Sequence, residues 1–208
     1  MRSIRTSTAA FLAAVLLASG ASAQAPRRAQ THPSRETTVI LVRHAEKVTS
    51  NPLDQNPSLT PAGEQRARDL YRWLRGRHID AIITTQLKRT KMTAQPTADS
   101  LHLVPEEVHM GHDPAASAQE VANLVRTRHA GQTVLVVGHS TTVNRIVAAL
   151  GGPPLGDICE TAYSNVFTLV IPATGTPRLA HRHYGAADPA GGHECVDGIH
   201  VEDHHGHH

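Results

Sequence analysis

No stretch beyond the N-terminal segment of this chain approaches the ~20 apolar residues that a helix needs to cross a bilayer, which excludes a spanning helix. Charge of one sign is also missing. The formal net charge of +2 over 208 residues includes Arg2 and Arg5, so the remainder is about neutral with histidine uncharged. A nucleic-acid backbone is therefore not favoured as a partner, and any basic character must be local. Cysteine is scarce: Cys159 and Cys195 are the only two. Neither lies directly after the N-terminal apolar segment, which argues against a lipid anchor, and no internal repeat is present.

At the N-terminus, Arg2 and Arg5 precede an apolar stretch from Phe11 to Leu17, and Ala21-Ser22-Ala23 offers a small-residue cleavage site. This pattern predicts a secretory signal over residues 1–23 and a periplasmic or secreted location. In such an oxidising compartment two cysteines are more often paired than free, so a Cys159–Cys195 disulfide is expected. The chain beyond the signal has ordinary single-domain length against a prior of roughly 100–200 residues. Residues 24–36, rich in Pro, Arg, Gln and Thr, have no apolar period and predict a flexible lead-in. The folded domain is expected over 37–185, with a His-rich tail over 186–208.

Within the domain, apolar runs alternate with helical periods. Thr38 to Val42 reads as a buried strand, and Ser50 to Pro57 as a polar loop. Thr60-Pro61 supplies an N-cap with proline at the first helical position. Ala67, Leu70, Tyr71 and Leu74 follow at helical spacing until Gly76. Ile79 to Thr84 predicts a second strand, Thr85 to Ser100 a helix that Pro96 should kink or interrupt, and Leu101 to Met110 a shorter strand. Ser117 to His129 predicts a helix, Thr133 to Val137 a strand and Ser140 to Leu150 another helix. Tyr163 to Ile171 and Arg178 to Tyr184 predict a terminal strand pair. The alternation implies a three-layer α/β/α sandwich with a mostly parallel central sheet.

Two histidines lie just past buried strands: Arg43-His44-Ala45 after the first, and Gly138-His139-Ser140 after Thr133 to Val137. In an open parallel sheet the strands' carboxyl ends line one edge, so these residues converge on a common crevice. Arg89 opens the second helix beside the same edge. Phosphoryl transfer needs cations or donors on the nonbridging oxygens, an in-line nucleophile, and an acid for the leaving oxygen. Arg43 and Arg89 provide fixed charge, and His139 at a helix start adds backbone amides that favour an anion. His44, as a neutral imidazole, is nucleophilic near pH 7.

The segments LVRHAEK, TTQLKRTKMTAQPTA and VLVVGHS, in that order and each after its strand, resemble the histidine phosphatase (phosphoglycerate mutase-like) superfamily, from about Val39 to Tyr184. The resemblance implies that His44 is the phosphorylated nucleophile and that Arg43, Arg89 and His139 form the phosphate pocket. It implies no cofactor and no metal in catalysis, and a small phosphorylated substrate or a phosphoprotein as partner. Ala45 stands where the family usually has glycine. The short connection between Arg89 and His139 leaves no room for a capping insertion, which is similar to the small SixA-type phosphohistidine phosphatases and argues against a mutase. The proton donor is expected to be Asp113, with Glu106 and Glu107 as rivals.

Ser140 has two readings, a donor to phosphate or a helix cap. Glu46 and Lys47 either touch substrate or form a solvated pair. Arg68, Arg72, Arg75 and Arg77 read as solvated helix charges. Gly138-His139-Ser140-Thr141-Thr142 also approaches a nucleophile elbow, with Asp157 and His183 following in hydrolase order. A serine hydrolase using Ser140 is thus an alternative, against which Thr142 sits where glycine is needed. A third reading takes the core as a non-catalytic scaffold for an exported metal-binding tail carrying His193, His200, His204, His205, His207 and His208. Such a tract also captures divalent metal adventitiously.

Overall fold

The computed structural model describes residues 35–189 and 195–200. The expected signal, nearly all of the lead-in, and His193, His204, His205, His207 and His208 lie outside the described residues. The chain runs β1 (Thr37–Arg43), α1 (Pro61–Leu74), β2 (Ala81–Thr85), α2 (Lys88–Leu101), β3 (Glu106–Val108), α3 (Pro114–Arg128), β4 (Thr133–Gly138), α4 (Val143–Ala149), β5 (Asn165–Ile171) and β6 (Arg178–His183). Six strands form one sheet in the order β3-β2-β4-β1-β5-β6. β1 to β4 are mutually parallel, β5 is antiparallel to β1, and β6 is antiparallel to β5.

The period of two in the central strands builds the three layers. Val39 and Leu41 of β1, with Val134 and Val136 of β4, pack against Val121, Val125, Ile146 and Val147 of α3 and α4. The alternate residues Ile40, Val42, Leu135 and Val137 pack against Leu70 and Leu74 of α1 and Ala94 and Ala98 of α2. Both faces of β1 and β4 are apolar, so the two strands read as continuous runs.

Thr60 caps α1 as expected, its Oγ1 accepting from the Gly63 amide at 3.1 Å, and Pro61 follows. Gly63 is needed for close approach. A Cβ there would lie 2.2 Å from the Glu46 carbonyl oxygen, where the helix meets the segment after β1. Other expectations are corrected. Pro96 does not interrupt α2, because a missing N–H forgoes one backbone bond while buried Thr93, Ala94, Thr97 and Ala98 keep that face packed. The helix runs on to Leu101 and closes at left-handed His102 (φ 54°), so β3 shrinks to three residues. α3 starts at Pro114 rather than Ser117, capped by Asp113. α4 starts only at Val143, because residues 139–142 form a turn in which the Thr142 Oγ1 accepts from the His139 amide at 2.9 Å.

Residues beyond the expected boundary at 185 pack on the domain. The Asp188 carboxylate accepts from the Tyr163 and Ser164 amides at 2.8 and 3.0 Å. Strands β7 (Cys195–Val196) and β8 (Ile199–His200) form a small hairpin, and Ile199 bridges Ile158. Cys159 and Cys195 are disulfide-bonded, 36 positions apart with Cα atoms 6.2 Å apart. Removing this bond by the paired change Cys159→Ser and Cys195→Ser is expected to cost about 3–4 kcal/mol by loop-closure entropy. Urea unfolding followed by circular dichroism reads this as a lower midpoint, and an unchanged midpoint would show that the bond constrains nothing.

Candidate active site

Strand register sets the site. In the parallel pair β1–β4, Arg43 lies opposite Gly138, so His44 and His139 each follow their strand at the same level. The His44 amide donates to the Gly138 carbonyl at 2.9 Å. Neighbouring strands are roughly 4.8 Å apart, and the two imidazole centroids are 5.3 Å apart, edge to face. Both rings are buried, at 3% and 4% exposure.

Each ring is held in one tautomer. His44 Nδ1 lies 2.8 Å from the Ala45 carbonyl, which can only accept, so Nδ1 carries the proton and Nε2 keeps its lone pair. The Ala45 amide in turn donates to Thr93 Oγ1 at 2.9 Å. His139 Nε2 lies 3.2 Å from Thr85 Oγ1, at the end of β2. Thr90 gives its one proton to the Leu87 carbonyl at 2.9 Å, so the Thr85 hydroxyl donates to Thr90 at 2.9 Å and accepts from His139 Nε2–H. The free atom of His139 is then Nδ1.

Arg43 is the most enclosed charge in the cluster, 1% exposed. Its Nη1 donates to the carbonyls of Cys159, Glu160 and Ala162 at 2.8, 3.0 and 3.2 Å. Its Nη2 pairs with Glu160 Oε2 at 2.8 Å, and the guanidinium lies 4.3 Å from the Tyr163 ring centroid. The buried Nε atoms of Arg43 and Arg89 have no hydrogen-bond partner among the described residues. Buried donors left in this way mark a place prepared for an anion.

Electrostatics agree. Burial, then the proximity of the His139 imidazole and of the Arg43 and Arg89 charges, holds His44 well below its ordinary 6.5 despite the Ala45 bond. Burial followed by Arg89, Arg43 and Lys47 brings His139 down to about 3. Burial and Arg43 also lower Arg89, while Glu160 opposes them. Both rings are neutral at pH 7, and the surrounding field favours negative charge.

Of the residues singled out in the sequence, Arg43, His44, Arg89 and His139 are brought together. Asp113 is not bonded to any of them; it is exposed, and its Oδ1 accepts from the Ala115 amide at 2.8 Å. Glu106 pairs with Arg128 and His129, and Glu107 with Lys91. Ser140 caps nothing: its Oγ donates to Glu160 Oε1 at 2.9 Å. Glu46 pairs with buried Arg66 at 2.8 Å, which also donates to the Tyr184 and Ala186 carbonyls. The serine-hydrolase grouping is dispersed, since Asp157 accepts from Asn144 and Arg145, and His183 bonds Ser164. His139 sits a turn ahead of α4, so helix amides are not part of its role. Thr85, Tyr163 and Glu160 complete the site without having been anticipated. Among the described residues no group of histidines, cysteines and carboxylates is placed to hold a metal ion.

Residues 39–112 match the family model of the histidine phosphatase superfamily, branch 1. Phosphoserine phosphatase 1 of Hydrogenobacter thermophilus is 27% identical over 180 residues, spanning 64% of this chain and 85% of that protein. The protein histidine phosphatase SixA complexed with tungstate superposes with a TM-score of 0.55 at 20% identity, covering 70% of this chain and 96% of the other. Mycobacterial hydrolase 2 gives 0.56 at 17% identity, covering 76% and 94%. These superpositions share the fold.

Unfolded histidine takes up a proton near pH 6.5, whereas folded His139 resists until about 3. Stability is therefore complete above 6.5 and is lost as pH falls through that window. Urea midpoints measured between pH 7 and pH 4 should fall, and His139→Asn should flatten the fall. An equal slope in both proteins would show that His139 is not held neutral.

Proposed function

Because this chain belongs to the histidine phosphatase superfamily, we propose that it hydrolyses phosphate monoesters through a phosphohistidine on His44. The observation that carries this reading is the free Nε2 of His44, fixed by the Ala45 carbonyl beside His139 and two guanidiniums with unpartnered buried Nε–H groups. The phosphoryl group is taken up at the free edges of the two rings, His44 Nε2 and His139 Nδ1. Arg43, Arg89 and His139 hold its nonbridging oxygens, and the arriving dianion favours the protonated form of His139, which donates from Nδ1.

His44 Nε2 gives its lone pair to phosphorus as the ester P–O bond breaks and an N–P bond forms, and the leaving oxygen takes a proton from a general acid as it departs as the alcohol. Water then attacks phosphorus, the N–P electron pair returns to Nε2, and orthophosphate leaves. Burial and neutral rings keep the nucleophile unprotonated near pH 7, so charge repulsion that lowers the His44 pKa also maintains its reactivity.

Phosphoserine and phosphohistidine are the first substrates to test, since one relative is named a phosphoserine phosphatase and one similar structure a protein histidine phosphatase. A periplasmic or secreted location is part of the proposal, supported by the N-terminal pattern and by the disulfide. No helix among the described residues is long and apolar enough to cross a membrane.

The test is a rapid alkaline quench after mixing with a ³²P-labelled monoester. Label should appear on His44 as acid-labile phosphate, and His44→Ala should lose at least about 10⁴-fold in kcat/KM, as loss of a nucleophile does elsewhere. Steady turnover in the His44→Ala protein would end this reading.

A further inference from the structure

A monoester whose leaving group is an alkoxide needs a proton donor at the pocket mouth, and none of the expected carboxylates is there. Asp113 caps α3, Glu106 and Glu107 form surface ion pairs, and Glu46 is tied to Arg66. One carboxylate does face the cluster. Glu160 reaches Arg43 Nη2 through Oε2 at 2.8 Å and Ser140 Oγ through Oε1 at 2.9 Å. Its side chain is 73% exposed while Arg43 beneath it is 2% exposed, so it stands on the open side of the site. His44 and His139 are both buried at the strand ends, so an exposed carboxylate bonded to Arg43 is placed on the solvent side of the cluster.

Resting on the phosphohydrolase reading above, we propose that Glu160 is the general acid and base of this site, made competent when bound phosphate displaces its carboxylate from Arg43. Arg43 has few donors to spare. Nη1 is engaged by three carbonyls, leaving Nε and the Nη2 edge for an incoming oxygen, and Nη2 is the edge Glu160 occupies. A phosphate dianion outcompetes a carboxylate for that edge, since it brings more charge and more acceptor oxygens.

The charged and polar groups around Glu160 are Arg43, Arg89, Lys47, Ser140 and Tyr163. In the resting site burial pushes the carboxyl up, but Arg43, the Ser140 hydroxyl and Lys47 together outweigh it and hold the group ionised. A dianion on Arg43 removes the main stabilising partner and adds a negative neighbour. Both changes favour protonation of Glu160. In the first step His44 Nε2 bonds to phosphorus, the ester P–O bond breaks, and the Glu160 proton passes to the departing oxygen, leaving a carboxylate. In the second, that carboxylate takes a proton from water as the water oxygen bonds to phosphorus and the N–P pair returns to His44. The acid form is thereby restored.

The experiment compares kcat/KM, which reports only the steps through phosphorylation of His44, for two esters in each protein. Glycerol 3-phosphate leaves as an alkoxide, whereas p-nitrophenyl phosphate leaves as a stabilised phenolate that needs little protonation. Glu160→Gln should slow the alkyl ester at least about tenfold more than the aryl ester. The orthophosphate inhibition constant should not weaken, and Glu160→Asp should recover part of the alkyl rate. The ratio of the two esters within one preparation does not depend on its active fraction. Equal slowing of both esters, with weaker orthophosphate binding, would reduce Glu160 to a support for Arg43 and overturn the proposal, as would no slowing of either. Trapping of label on His44 in Glu160→Gln with the aryl ester keeps the two questions apart. Label there with an unchanged ester ratio defeats the Glu160 proposal alone, while no label in the unaltered protein defeats the phosphohistidine reading.

Discussion

The parallel pairing of β1 with β4 is the constraint on which the site depends. Because Arg43 faces Gly138 across that ladder, two residues from remote parts of the chain leave the sheet at the same height and on the same side. A slip of one residue would turn the side chains of one strand to the opposite face. Packing on the two buried faces opposes it, because Val134 and Val136 would exchange layers with Leu135 and Val137 and disturb both cores. Core packing thus sets the distance between two imidazoles that are themselves polar.

Arg43 adds a second level of order. A guanidinium at this depth carries a desolvation cost that must be met by acceptors. The Cys159–Ala162 loop supplies them with three carbonyls and one carboxylate. The same contacts orient the guanidinium, so its Nε–H points where no acceptor among the described residues waits. The disulfide at Cys159 and the bridge of Ile158 to Ile199 hold that loop from the other side.

The layered fold and the meeting of Arg43, His44, Arg89 and His139 were legible because each rests on a local pattern: a buried run followed by a polar residue at its carboxyl end. Glu160 was not. It stands alone in an irregular loop with no period around it, and only folding brings it 117 positions back to Arg43. Thr85 was hidden for a different reason, being the last residue of a strand whose end the sequence placed one residue earlier. The Asp113-Pro114 pair repeats the signature of Thr60-Pro61, a capping oxygen followed by proline at the first helical position, and it performs the same service for α3. Helix limits near Pro96 and Ser140 shifted because side-chain hydrogen bonds and helix-face packing override local propensity there.

Arg43 belongs to the earliest strand to emerge from the ribosome, but every acceptor its guanidinium uses is translated more than a hundred codons later. β1 likewise has no sheet neighbour until β4 and β5 exist. Such long sequence separations slow folding and make it depend on chain completion. A nascent chain lacking its last third therefore has no ordered cation and no β5 beside its central strand, and anion-binding competence arrives late, as a property of the finished polypeptide.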